Sequence, residues 1–191
     1  LDSYDALCRE LTETSGCLLI AFEYRLAPEH KFPAAPLDCY AALRWVATNA
    51  SELGGAGDRI AIGGDSAGGN LSAVVAQMAR DRGGPAIMFQ LLVYPATDHA
   101  CDTPSYRDNG KDYLLTTEGM HWNYAHYLSD TGSGSDPLVS PLRRTALAAA
   151  LALEASAAIL AVREHGFDVV RKEDRSPVTE ADHAAEAIIV A

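Results

Sequence analysis

The sequence predicts an α/β fold built on a short parallel sheet, and three observations predict it. The runs Cys17 to Tyr24, Arg59 to Gly63 and Ala86 to Tyr94 are nearly continuous apolar stretches without the alternation of a half-exposed sheet, as expected of strands covered on both faces. Helical periodicity fills the intervals between them, giving two β-α-β units with right-handed crossovers. The second run gives way to its helix through Gly64-Asp65-Ser66-Ala67-Gly68, a string of small residues where a tight turn is needed.

In chain order, Ser3 to Glu13 reads as a helix with Tyr4, Leu7 and Leu11 inward, and Pro36 to Ala50 as a helix lying between strands. The helix after the Gly64–Gly68 turn sets Leu71, Val74, Val75, Met78 and Ala79 on one side. Residues 101–136 differ in character: they hold Tyr106, Tyr113, Trp122, Tyr124 and Tyr127, then the run Thr131-Gly132-Ser133-Gly134-Ser135, which reads as flexible. From about Thr145 the chain turns alanine-rich. There Leu147, Leu151, Ala155, Ile159 and Val162 form one helical stripe, with Thr145 before it and Gly166 after it as boundary signals. The stretch Ala146 to Val162 falls short of the roughly 20 strongly apolar residues of a membrane span, so it reads as a packing helix. The expected organisation is a core over 1–143 with an insertion at 101–136, and a helical segment over 144–191 that packs on the core or on a partner subunit.

The chain has 191 residues, 48% of them hydrophobic and 21% charged, the composition of a globular protein with one core of ordinary size. A formal charge of −11 argues against nucleic acid and against an anionic membrane surface, since phosphates would be repelled and no lysine or arginine cluster compensates. Neutral small molecules face no such penalty. Cys8, Cys17, Cys39 and Cys101 lack the C-x-x-C spacing of a zinc or redox site, so reduced thiols are expected, and with them a cytoplasmic setting without metal or cofactor. The chain does not begin with methionine and carries no basic-then-apolar leader, so its start reads as a cut.

Gly64 to Gly68 carries the chemistry. A serine hydroxyl is a weak nucleophile, and it is made useful when a strand-turn-helix holds Oγ exposed while backbone N–H groups face an incoming carbonyl oxygen. Ser66 sits in that context. The other reading of the same residues is a glycine-rich turn whose serine merely caps the helix.

Further motifs accompany it. Tyr24-Arg25-Leu26-Ala27-Pro28-Glu29-His30 and Phe32-Pro33-Ala34-Ala35 precede the turn, Gly69-Asn70 extends it, and Leu92-Val93-Tyr94-Pro95 follows. Together these residues closely resemble the hormone-sensitive-lipase-like branch of the α/β-hydrolases, in that family's own order, from Leu1 to about Arg143. The resemblance implies a truncated α/β-hydrolase three-layer sandwich and a serine carboxylesterase acting on small, short-chain acyl esters. Ser66 would be the nucleophile and the Ala67 amide one oxyanion donor. It also implies that residues 101–136 form part of a lid over the acyl pocket, with Trp122 and Tyr127 as substrate-binding candidates; the other reading is that these aromatics pack a surface helix. In the family, a His-Gly-Gly motif supplying the other oxyanion amides lies just upstream of the segment matching Leu1. The acid and histidine of the triad follow Ser-Pro-Leu, here Ser140-Pro141-Leu142.

After that point Asp168-Val169-Val170-Arg171-Lys172-Glu173-Asp174-Arg175-Ser176-Pro177-Val178-Thr179-Glu180-Ala181-Asp182 resembles the amino-terminal part of bacterial 3′(2′),5′-bisphosphate nucleotidases. On this reading the chain is a hybrid of two unrelated enzymes, with the metal-binding carboxylates of the second mostly downstream of Ala191. The plainer reading of Ser176 to Asp182 is a loop and helix start, with Thr179 as N-cap.

Six histidines could serve as base: His30, His99, His121, His126, His165 and His183. His165 stands out, because Glu164-His165-Gly166-Phe167 repeats the His-Gly-Phe around the catalytic histidine of many members of the resembled family. For the acid, Asp98 follows the strand after the turn, its other reading being a turn aspartate in Pro95-Ala96-Thr97-Asp98. The expectation is an esterase with an impaired or rebuilt site, the alternative an inactive chimeric fragment. Either way, strand edges and apolar surfaces left without neighbours predict a homo-oligomer.

Overall fold

The computed structural model describes residues 2–144, 170–171 and 177–178. The chain divides into two units, Leu1–Pro141 and Leu142–Ala191.

In the first unit, a short 3-10 turn at Asp2–Tyr4 leads into α1 (Asp5–Ser15). Then come α2 (Ala34–Asn49), β1 (Ile60–Asp65), α3 (Ala67–Asp81) and β2 (Ile87–Val93). β1 and β2 pair in parallel, from Ala61 opposite Phe89 to Asp65 opposite Val93, with an irregularity between Ile60 and Ala61. The predicted β-α-β unit around Ser66 is therefore present. α3 packs on both strands and α2 packs on α3, so the core gathers Ala35, Cys39, Tyr40 and Leu43 of α2, Ile60 of β1, and Leu71, Val74, Val75, Met78 and Ala79 of α3. The apolar stripe read from the α3 sequence is the buried one. Burial pushes the Cys39 thiol up to about 12.

The outer parts of this unit depart from expectation. Cys17 to Tyr24 forms no strand, and most of it is exposed. A strand exists only through a hydrogen-bonded partner, and among the described residues this apolar run has none. The second β-α-β unit is thus missing. α1 has the expected period, yet Tyr4, Leu7 and Leu11 are exposed rather than inward, because no element covers that face among the described residues. β2 lies where the sequence puts it but is not buried: Met88 is 69% and Phe89 61% exposed. Its apolar run suits a strand with neighbours on both faces and both edges, and here β1 takes one edge and α3 one face.

The loop over 24–33 is fastened at two points. The Arg25 guanidinium grips the Asp38 carboxylate of α2 at 2.7–3.2 Å, and the Arg25 N–H donates to the same group at 3.0 Å. Further on, Lys31 Nζ donates to the Ala125 and Leu128 carbonyls at the end of α5 (Thr117–Tyr127), and the Phe32 N–H to Tyr127 O. A cation at that end complements the helix dipole.

Residues 101–136 hold α4 (Pro104–Asp108) and α5, the latter capped by Thr116 Oγ1 accepting from the Gly119 N–H. Cys101, Met120, Tyr124, Leu128 and Val139 form a second core, and Tyr127 packs against both cores. The Thr131–Ser135 run has a regular conformation. It winds into a 3-10 turn whose Ser133 N–H bonds Asp130 Oδ1 at 2.9 Å, while the buried Ser140 Oγ donates to Gly134 O at 2.7 Å. These bonds, one from Asp130 before the run and one from Ser140 after it, give a defined turn to a run that its composition alone suggests is open.

In the second unit, β3 (Val170–Arg171) and β4 (Pro177–Val178) form a short antiparallel pair with Val170 opposite Val178. Pro177 and Val178 are thus strand rather than loop. The alanine-rich helix, Thr179, His165 and His183 lie outside the described residues.

Candidate active site

Ser66 joins β1 to α3 at φ 51°, ψ −114°, a backbone conformation that costs an L-residue of order 1–3 kcal/mol. Three backbone hydrogen bonds hold it there: its N–H donates to Val93 O at 3.0 Å, and its carbonyl accepts from the N–H groups of Asn70 at 3.0 Å and Ala96 at 3.2 Å. The residue is exposed, and its side chain makes no capping bond, so the reading of Ser66 as a mere helix cap does not hold.

Two glycines permit this geometry. A Cβ on Gly64 would collide with the backbone of Gly68, 2.5 Å from its carbonyl oxygen, and a Cβ on Gly69 would meet Pro95 at 2.9 Å. Ala67 opens α3, so the helix itself leaves the Ala67 N–H without a partner, beside the Ser66 side chain and at the positive end of the dipole. Asp65 turns its carboxylate to Tyr4, whose hydroxyl donates to Oδ2 at 2.9 Å. That bond and the carboxylate charge raise the Tyr4 phenol above its ordinary pKa, so it stays a donor.

Asp98 lies two residues beyond Ala96 and accepts the Ala100 N–H at 3.0 Å, the turn-forming bond that its local sequence suggested. Among the described residues no histidine hydrogen-bonds Ser66. His99 lies with its ring edge-on to Tyr124, centroids 4.8 Å apart, and its N–H bonds Ser140 Oγ. His126 pairs its Nδ1 with Trp122 O and its ring with the Trp122 indole at 4.1 Å. His30 and His121 are exposed. Trp122 and Tyr127 sit on different sides of α5, as a five-residue separation of about 140° dictates: Trp122 is 62% exposed while Tyr127 packs inward against Phe32. The structure does not bring these two together in one pocket wall.

Burial raises the Cys101 thiol and the Tyr124 and Tyr127 phenols, and pushes Tyr106 up to about 12. All four stay neutral near neutral pH, which removes them as bases. Among the described residues no group of three or more His, Cys, Asp or Glu could hold a metal ion, and no helix is long and apolar enough to cross a membrane.

Three contacts escaped the sequence reading: Tyr4 to Asp65, Arg25 to Asp38, and the side chain of Asn70. Only the last had a signal, being a polar residue on an apolar helix face.

A profile of the alpha/beta hydrolase fold matches residues 1–187, and the chain belongs to that family. Within it, this chain is similar to the carboxylic ester hydrolase LipN of Mycobacterium tuberculosis, 43% identical over 182 residues, 92% of this chain and 46% of LipN. It is also 41% identical to an ethyl acetate hydrolase of Pseudomonas putida, over 74% of this chain and 45% of that one. Among solved structures, an esterase from the archaeon Pyrobaculum calidifontis superposes with a TM-score of 0.69 at 43% identity, covering 73% of this chain and 45% of that one. A thermostable esterase from Pseudomonas putida gives 0.72 at 39% identity, covering 74% and 44%. The chain spans less than half the length of these relatives. The hydrolase profile runs far beyond Arg143 and the LipN match covers 92% of the chain, so the expected fusion to a bisphosphate nucleotidase segment finds no support. A short motif-like run such as Asp168 to Asp182 carries too little information to outweigh a match along the chain.

Proposed function

We propose that the chain carries the nucleophile of a serine carboxylesterase acting on small, neutral, short-chain acyl esters. The observation behind this reading is Ser66 itself, an L-residue held at φ 51° on a strand-to-helix turn with its hydroxyl exposed and uncapped. Relatives named as ester hydrolases support the reaction class.

Ser66 Oγ attacks the acyl carbonyl carbon while a base takes its proton. The oxygen that becomes negative meets the Ala67 N–H, a donor of a kind whose loss costs roughly 10²- to 10³-fold. The C–O bond to the leaving group breaks, the base returns its proton to the departing alcohol, and water then cleaves the acyl-enzyme to release the acid. We assign the base to His165 and the acid to Asp98, with the exposed Trp122 meeting the substrate and Tyr127, packed against Phe32, holding α5 from its inner side. The exposed apolar surface of α1 and β2 suits a homo-oligomer. Four free thiols suit a cytoplasmic enzyme.

The test is stoichiometric labelling of Ser66 by a phosphonate ester, together with turnover of p-nitrophenyl butyrate. Ser66→Ala should lower turnover by roughly 10⁴-fold. A variant that keeps the parent rate would assign the activity to another nucleophile, and a parent that is neither labelled nor active would make the chain a folded but inert one. His165→Ala should cost at least about tenfold, against less than about twofold for His30→Ala. An unchanged rate moves the base to His99, His121 or His126.

A further inference from the structure

Asn70 is 7% exposed on a helix face that is otherwise largely apolar. Its single side-chain nitrogen donates to two carbonyls from distant parts of the chain, Ala96 O at 2.5 Å and Val139 O at 2.8 Å. Ala96 is gripped from its other side by the nucleophile's own backbone, since its N–H donates to Ser66 O at 3.2 Å. The two acceptor segments are also tied to each other, the His99 N–H donating to Ser140 Oγ at 2.9 Å. Ser66, Ala96, His99, Ser140, Val139 and Asn70 thus form a closed hydrogen-bonded circuit, with Asn70 as the member that bridges all three segments.

We propose that Asn70 is a positioning residue for the Ser66 reaction: its amide sets the 94–99 loop and the 136–141 segment at fixed places against the elbow, and with them Asp98. The proposal deepens the reading of Ser66 as nucleophile and rests on it. The chemistry selects asparagine narrowly. An amide nitrogen offers two N–H groups in one plane, aspartate offers none, serine offers one, and glutamine places the nitrogen one methylene too far. Removing both donors takes this partner from a buried carbonyl at Val139 and a part-buried one at Ala96, which favours displacement of the segments that carry them.

The experiment compares parent, Asn70→Ala and Ser140→Ala by amide hydrogen exchange and by p-nitrophenyl butyrate kinetics. In Asn70→Ala the Ala96 and His99 amides should exchange at least about tenfold faster while those of Val75 and Met78 keep the parent rate, because local opening is separable from global unfolding. The same variant should lose about tenfold in kcat with KM within about twofold, and phosphonylation of Ser66 should slow in parallel. Ser140→Ala should loosen His99 with a smaller loss in kcat. Should Asn70→Ala not fold, Asn70→Ser, which keeps one donor, should give the same pattern at intermediate size. Parent-like exchange at Ala96 and His99, or unchanged kcat despite faster exchange, overturns the positioning role alone. A parent without Ser66-dependent turnover overturns it together with the nucleophile reading.

Discussion

Two apolar parts of this chain meet opposite fates. The α2–β1–α3 region buries its hydrophobic residues to the point that Val74 and Val75 are fully enclosed, whereas the apolar runs of Cys17 to Tyr24 and β2, and the apolar stripe of α1, stand largely open to solvent. The difference lies in where each finds its partners. α3 meets α2 behind it and β1 and β2 beneath it within the 60 residues from Ala34 to Val93, so its burial is settled locally. The outer elements depend on surfaces that the described residues do not supply. Hydrophobicity therefore marks which faces need a neighbour, and only the neighbour decides whether the face is buried.

Thiol chemistry gives the largest contrast. With its thiol pushed up to about 12, Cys39 should hold roughly 10³-fold less thiolate than an ordinary cysteine near neutral pH. The exposed Cys17 should be alkylated by iodoacetamide long before Cys39, as read by mass spectrometry of digests. Equal rates would break the contrast. A matched pair of methionines sharpens it: Met78 is 2% and Met88 69% exposed. Met78→Ala should cost about 2–5 kcal/mol in urea unfolding, and Met88→Ala within about 0.5 kcal/mol. A large loss at Met88 would show that β2 is covered in solution.

In the proposed homo-oligomer a second copy of the chain covers β2, and Phe89→Lys tests that. A charge in an apolar interface should weaken self-association by at least about tenfold in sedimentation while leaving the elbow intact. A parent that sediments as a stable 20 kDa monomer would refute the oligomer. The smallest effect belongs to the pair that fastens the 24–33 loop. Hydrogen bonding to Arg25 holds the Asp38 carboxyl below its ordinary range, so the contribution is complete above the unfolded-state value and disappears as pH falls through the lower folded one. Below about pH 4 the parent should lose stability more steeply than Asp38→Asn, which has no carboxyl to protonate there. Parallel profiles would leave the pair without influence.

Legibility follows the same division. The elbow, the buried face of α3 and the strand positions of β1 and β2 could be read because strand, turn and helix signals were adjacent and agreed. Cys17 to Tyr24 misled because period and apolarity describe a strand without naming its partner. Thr131 to Ser135 misled through composition, since nothing local announced that Asp130 would cap the run and Ser140 would hold Gly134. Asn70 was visible as a polar residue out of place, but its two acceptors lie 26 and 69 residues away. The His165 and Asp98 assignments rest on local motifs, which speak to residue type and not to distance from Ser66.

The backbone at Ser66 sets heat tolerance against chemistry. Holding an L-residue at φ 51° costs about 1–3 kcal/mol, and glycine would escape that cost while giving back about 0.5–1 kcal/mol in chain entropy. A Ser66→Gly chain, with no hydroxyl left to react, should therefore melt above the parent. The reactive group is kept at the expense of melting temperature, and a search for hardier variants that ignored activity would be drawn to position 66.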